Sequence, residues 1–357
     1  MTQGPYTDLS GGPQFPPPPP PLVAGPSFGP GGPRRPHGRG VWSTVATILL
    51  ILSVFANVAL FVLLILAISL AGGLGGTQGD GLREHVITKG QTREKIAVIH
   101  IDGVLDDLMV EDGHKQIMRA AEDPRVKAVI LEINSPGGGL TASDSLHHLL
   151  QTELEGKPIV AAMDAVAASG GYYIACAAQR IVAQPTTVTG SIGIIGHLFF
   201  VNELMKDKLG IVPVTIKVGA QKDWPNMFTQ AGLPDEQRQY LMDALMTPGF
   251  DRFVQVVREA RGFDEAEVRR LATGRVFTGP EARDVNLVDE VGYFERAVEI
   301  AEELGGAQGA TVVEYQRVPT LADFLSLQTE ARQALNLTPE RIAAMATPRV
   351  MYLWTGQ

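Results

Sequence analysis

The chain has 357 residues, 45% of them hydrophobic and 19% charged, with a formal net charge of −9. That length holds one large or two medium domains, and an acidic balance with no Lys/Arg-rich run among aromatics gives no support for a nucleic-acid partner. A single cysteine, Cys176, excludes an intrachain disulfide and any multi-cysteine metal site.

Residues 1–40 carry 12 prolines and nine glycines, including the run Pro16–Pro21. Such a composition buries too little apolar surface to offset ordering entropy, so a disordered or polyproline II tail is expected. It reads as a solvated tether, with a proline-recognising partner as the alternative. From Val41 to Gly79 there is no Asp, Glu, Lys or Arg, and residues 41–71 are almost wholly apolar. A bilayer core needs about 20 such residues as helix, so a transmembrane helix in contact with lipid is expected at 41–71. A cleaved signal peptide would have an apolar region of about 7–15 residues close to the N-terminus, and this stretch is too long and starts too late. Arg34, Arg35 and Arg39 precede it, and Arg83 is the first cation beyond. The positive-inside rule then places the tail in the cytoplasm, and the rest of the chain on the outer side of the cell (inner) membrane as a single-pass protein.

A linker is expected at 72–94, after which the pattern becomes regular. "KIAVIHI" (Lys95–Ile101), "VKAVILEI" (Val126–Ile133) and "PIVAAM" (Pro158–Met163) read as buried strands, with "RIVAQP" and "VPVTIKV" as further short ones. Helices are expected at His114–Glu122, from Thr141 to about Glu155, and after Ser169. Strands alternating with helices predict parallel β-α-β units with both sheet faces covered. The later chain is more helical, with candidates at Asp235–Thr247, Gly249–Ala260, Glu265–Ala272 and Phe294–Leu304. Thr247-Pro248-Gly249 is expected to kink or divide the first two. The last twenty residues are weakly patterned and suggest no role.

Two loops fall at the carboxyl ends of predicted strands, where ligands sit in parallel α/β folds. "NSPGGG" (Asn134–Gly139) follows the second strand, and "DAVAAS" (Asp164–Ser169) leads into a helix from the third. Acyl transfer needs two N–H donors for the developing oxyanion, and Gly138 and Gly170 could supply them beside Ser169. The plainer reading is a tight turn and a serine that caps a helix. A nucleophilic serine needs a base. His197, after "GSIGII", is one candidate, and Lys222, in "IKVGAQKD", is the other, since burial can depress a lysine enough to let it act. His147 and His148 occupy adjacent helix positions that face different directions. Residue patterning leaves His197 and Lys222 level.

Five segments occur together, in order: "NSPGGG", "AASGGYYIACAA", "TVTGSIGIIG", "IKVGAQKD" and "GRVFTGPEARDVNLVDEVG". With them the chain resembles the signal peptide peptidase A family, serine peptidase family S49, over roughly Ile96–Leu304, in a single-domain membrane-anchored form. The resemblance implies a Clp/crotonase-like α/β fold at 95–318, a helical C-terminal part, and an extension of unknown role at 319–357. It implies a Ser-Lys dyad with Ser169 as nucleophile and Lys222 as general base. Gly138 and Gly170 fall at its oxyanion-hole positions, and Ser191 matches a serine that helps orient the lysine. Hydrolysis of apolar peptides such as remnant signal peptides follows from it, as do a homo-oligomer whose dyads can combine neighbouring subunits and a reaction without cofactor or metal. Two rivals on the same fold are a Clp-like Ser-His peptidase using His197 and a non-catalytic peptide-binding scaffold. Cys176 reads as a small buried residue rather than a second nucleophile.

Overall fold

The computed structural model describes residues 40–74, 81–318 and 349–355. The proline-rich tail expected at 1–40 lies outside them apart from Gly40, as do residues 75–80 of the expected linker and most of the extension expected at 319–357. The chain divides into two compact units, Met1–Ile68 and Ser69–Gln357. Helix α1 (Val41–Leu74) contains a 26-residue span, Trp42–Ala67, apolar enough to cross a membrane. At 1.5 Å per residue that span is about 39 Å long, against a hydrocarbon core of about 30 Å.

The second unit is built on a sheet whose centre is parallel. Its early strands are β1 (Leu82–Thr88), β2 (Lys95–Asp102) and β3 (Val126–Ser135). Next come the three-residue β4 (Gly137–Gly139), β5 (Ile159–Ala168), β6 (Arg180–Ala183), β7 (Val188–Gly190) and β8 (Ile195–His197). The expected runs at 95–101, 126–133, 158–163 and 180–185 are thus strands, each within a few residues. Between them lie α2 (Asp107–Glu122), α3 (Leu140–Glu153) and the six-residue α4 (Gly170–Ala175). Helix α2 starts seven residues before the expected His114, because Asp106 caps it by accepting from Met109 N at 3.0 Å.

The side-chain alternation of β2 and β3 explains why both read as continuous apolar runs. Ala97, Ile99, Ile101, Val129, Leu131 and Ile133 enter one core, which also contains residues of α2, α3 and α4. Ile96, Val98, Ala128 and Ile130 enter a second core on the opposite face. Successive strand residues point to opposite faces, so a sheet covered on both sides needs apolar residues at every position.

The later chain supplies α5 (Asp235–Leu241), α6 (Thr247–Arg261) and α7 (Glu265–Leu271), then β9 (Val276–Thr278), α8 (Gly279–Asp284) and β10 (Glu290–Val291). Helix α9 (Phe294–Gly305) packs Ala297, Ile300 and Ala301 into the second core, and β11 (Thr311–Arg317) and β12 (Arg349–Leu353) follow. The main sheet runs β1-β11-β2-β3-β5-β6-β10, with β7 on β5 and β9 on β7. A smaller sheet has the order β4-β12-β8.

Four sequence expectations change. The linker at 72–94 contains β1, which pairs antiparallel with β11 and closes the sheet edge. "VPVTIKV" (212–218) is not a strand: Ile216 and Val218 are each 95% exposed, and no backbone ladder is available to that segment. Thr247-Pro248-Gly249 does not divide the helix. Pro248 sits in the first turn of α6, and a π-turn at Met242–Met246 widens the backbone just where proline lacks an N–H and would crowd a carbonyl one turn back. The last twenty residues, patternless by themselves, contribute β12, for reasons that belong to the site.

Candidate active site

Strand β5 forks. Val160–Met163 pair with β6, whereas Val166–Ala168 pair with β7, so its carboxyl end leaves the first ladder and enters another. Ser169 follows directly, 1% exposed, with its N–H bonded to Gly190 O at 2.7 Å. Its backbone is at φ 54°, ψ −114°, a conformation non-glycine residues rarely hold and one that costs about 1–3 kcal/mol. The serine precedes α4 without capping it, since its side chain accepts no helix N–H. The capping role available from sequence is therefore not used, because the turn aims the side chain elsewhere.

Ser191, at φ 50°, follows Gly190 on the neighbouring strand and donates its N–H to Arg275 O at 2.8 Å. Ser169 and Ser191 line one open cavity of about 760 Å³, together with Met242 and Met246 from the π-turn, Gly274 and Leu353. Gly170 and Gly138 flank Ser169 because small residues are compulsory here. A Cβ on Gly170 would lie 2.5 Å from Ser143 Oγ, and one on Gly138 would lie 2.2 Å from Leu105 O.

The peptide groups of the glycine strand divide between two neighbours. Leu105 N–H donates to Gly137 O at 3.0 Å and Gly139 N–H donates to Leu105 O at 2.7 Å, so those two residues face Leu105. Gly138 turns the other way, where it pairs with Tyr352 of β12. Trp354 N–H donates to Pro136 O at 2.8 Å, and hydrogen-bonded pairs recur every second residue in an antiparallel ladder. Gly138 N–H is therefore directed at Tyr352 O. An imagined Cβ on Gly137 falls 2.0 Å from that oxygen and 2.6 Å from Gly170 N, so carbonyl and amide flank one point.

Tyr352 is fully buried. Its ring stacks on Tyr173 at 5.1 Å and lies 4.8 Å from Phe253, and its hydroxyl donates to Gly249 O at 2.6 Å. Burial pushes the phenol up, which keeps it a donor. Sequence reasoning missed this residue. The one available signal was the β-branched and aromatic run "RVMYLW" at 349–354.

The predicted base candidates lie elsewhere. Lys222 is exposed and does not line the cavity, and its N–H bonds Gly219 O within its own turn. His197, the last residue of β8, is also exposed and outside the cavity lining. Cys176 is buried just past α4, and burial pushes its thiol up to about 12, so it is not a nucleophile at neutral pH. Among the described residues no cluster of His, Cys, Asp and Glu could hold a metal ion.

His147 is buried against Tyr173, with ring centroids 5.3 Å apart, while His148 is exposed. Burial, aided by Arg252, pulls the His147 imidazole down to about 4. The unfolded chain then binds a proton below about 6.5 that the folded chain refuses, so stability is present above that pH and falls on acidification toward 4. The expected loss is as much as ~3 kcal/mol. Urea unfolding at pH 7 and pH 4.5 checks it: His147→Phe should flatten the slope, and an unchanged slope would count against the assignment. His100 is raised by its hydrogen bond to Glu132, with Glu314 adding to it. It acts in the opposite direction, stabilising at low pH and losing that contribution as pH rises above 6.5.

Comparison with known proteins identifies the family. The family model described as peptidase family S49 matches residues 151–308. A protein of Enterococcus faecium named as a signal peptide peptidase, SppA, is 31% identical over 297 residues, covering 77% of this chain and 85% of that protein. Protease 4 of Salmonella typhi is 34% identical over 266 residues, covering 72% of this chain. The chain spans only 42% of the length of that longer relative. Among solved structures, a ClpP1 mutant from Listeria monocytogenes overlaps with a TM-score of 0.39 at 17% identity, over 56% of this chain and 94% of that one. The family model and the relatives at 31% and 34% identity define a serine peptidase. The chain belongs to peptidase family S49 and is of the SppA/Protease 4 type.

Proposed function

We propose that the protein is a membrane-anchored serine endopeptidase whose Ser169 acts with Lys222, and that the lysine is supplied by a second copy of the chain. The observation that carries this reading is the strained turn holding Ser169 between two glycine amides, on a cavity that contains no base of its own from the two candidates. A lysine acts as a base only when its surroundings are desolvated. In the single chain Lys222 is exposed, and the segment before it shows Val212, Val214, Ile216 and Val218 at 70% exposure or more. A contiguous apolar strip of that kind marks an interaction surface, and a neighbouring subunit would both cover it and receive the lysine.

In the reaction, neutral Lys222 takes the Ser169 proton as Oγ attacks a peptide carbonyl. The Gly138 and Gly170 amides hold the oxyanion, and Ser191, beside Ser169, orients the amine. The lysine returns the proton to the leaving nitrogen, and water then hydrolyses the ester. Helix α1 would hold the enzyme in the cell (inner) membrane with the peptidase unit outside, where apolar peptides such as remnant signal peptides are released. The cavity lining from Met242, Met246 and Phe250 suits apolar side chains.

A fluorophosphonate probe tests the nucleophile. The purified full chain should be labelled at Ser169, and Ser169→Ala should abolish labelling. Labelling that persists in that variant, or none in an oligomer that is otherwise folded, would remove the assignment and revive the scaffold reading.

A further inference from the structure

Arg275 is the one charged side chain among the described residues that line the Ser169 cavity. The strand fork that builds the site also places it. Strand β7 pairs antiparallel with β9, matching Gly190 to Val276 and Thr189 to Phe277. The ladder runs one step further, where Ser191 N–H donates to Arg275 O at 2.8 Å. Arg275 therefore stands opposite Ser191, two strands across from Ser169. With strands about 4.8 Å apart, the two backbones are separated by ~10 Å.

The guanidinium is oriented but not neutralised. Its Cζ lies 4.3 Å from the centroid of the Phe277 ring, and Phe277 is itself 2% exposed. That ring packs on Gly190, where a Cβ would fall 2.6 Å from Phe277 Cδ2. Stacking on an aromatic face fixes the plane of the guanidinium and leaves its N–H edge open. Among the described residues that edge makes no hydrogen bond or ion pair. Glu281 senses the charge, but its carboxylate is committed to capping α8, accepting from Thr278 N–H at 2.9 Å and from the Thr278 hydroxyl at 3.1 Å. A planar fork of free donors in an otherwise uncharged cavity matches a carboxylate.

We infer that Arg275 binds the free carboxyl terminus of the substrate, so that the enzyme acts on peptides already released and cuts close to that end. The inference rests on the proposed Ser169 chemistry. Met242, Met246 and Phe250 make the rest of the lining suit apolar side chains, and an apolar fragment carries no carboxylate except its terminus. An extended chain rises about 3.3 Å per residue, so about two or three residues fit between Arg275 and Ser169. The carbon–nitrogen bond at that distance from the terminus breaks. The short carboxyl-terminal piece leaves with a proton on its new amine, and the acyl part stays on Ser169 Oγ until water removes it. The reaction that supplies such a substrate is an earlier peptide-bond hydrolysis, which creates the carboxylate that Arg275 holds.

One apolar peptide in two forms, ending in a free carboxylate or in an amide, tests this on the full chain in detergent. Wild type should cleave the acid with a kcat/KM roughly 10–100-fold above that of the amide, the range for a charge-assisted pair. Mass spectrometry should place the cut about two or three residues from the end. Arg275→Gln should bring the ratio of the two rates to about one, and Arg275→Lys, which keeps the charge without the fork, should retain part of it. Equal rates in wild type overturn the inference and leave the peptidase reading standing. So does an Arg275→Gln enzyme that slows on both peptides yet keeps their ratio, since the arginine then serves only its turn. An amide peptide ending in Glu that is cut as fast as the acid would replace the terminal carboxylate with a side-chain one and overturn the assignment. Cleavage of neither form, with no fluorophosphonate labelling of Ser169, overturns both readings.

Discussion

Ser169→Ala and Lys222→Ala subunits, each inactive alone, should regain activity when unfolded and reassembled together. If the serine and lysine of a working site come from adjacent copies, a site is complete only where a Lys222→Ala subunit offers its serine to a Ser169→Ala subunit. Random mixing at equal amounts completes roughly a quarter of such heterologous contacts. Each variant by itself should fall by about 10⁴-fold or more in kcat, since members of a catalytic pair act as a unit. Neither change should alter unfolding of the single chain, because Lys222 is exposed and neither its amine nor Ser169 Oγ makes a hydrogen bond or ion pair among the described residues. Peptide hydrolysis by the co-assembled oligomer is the measurement. Mixed oligomers that form without any recovery would place both groups in the same subunit, and wild-type turnover by Lys222→Ala would return His197 to consideration.

The second large effect is expected at Gly138. Gly138→Ala introduces a Cβ 2.2 Å from Leu105 O and 2.5 Å from Leu105 N, both backbone atoms that cannot yield without breaking the bonds they make to Gly139 and Gly137. The strand must shift, and with it the amide aimed at the substrate carbonyl. Losing one oxyanion donor costs about 10²–10³-fold in kcat, and overpacking adds ~1–3 kcal/mol of lost stability. Gly139→Ala is the control. It sits at φ −59°, and a Cβ there meets Ala142 Cβ at 3.5 Å, an ordinary contact. Steady-state kinetics and urea unfolding of the pair should therefore diverge. Equal activity in the two variants would mean that Gly138 serves only the turn.

What patterning determined by itself was local. Runs such as Lys95–Ile101 had to be buried strands because β-branched residues with no polar face suit a sheet covered on both sides. Residues 41–71, without a charge, had to form a helix long enough to span a bilayer. The small residues around Ser169 announced a crowded turn, and the five segments in register pointed to the family. Tertiary structure decided what depends on partners remote in the chain. "VPVTIKV" has the composition of a strand but no neighbour to complete its ladder, so it stays exposed. Residues 349–353 have an unremarkable pattern, yet they form a strand because β4 and β8 present unpaired backbone on either side. Ser169 and Ser191 meet because β5 leaves β6 for β7, a fork that no residue in either segment encodes alone. Lys222 and Ser169 stay apart within one chain because the segment bearing the lysine has no place in the sheet.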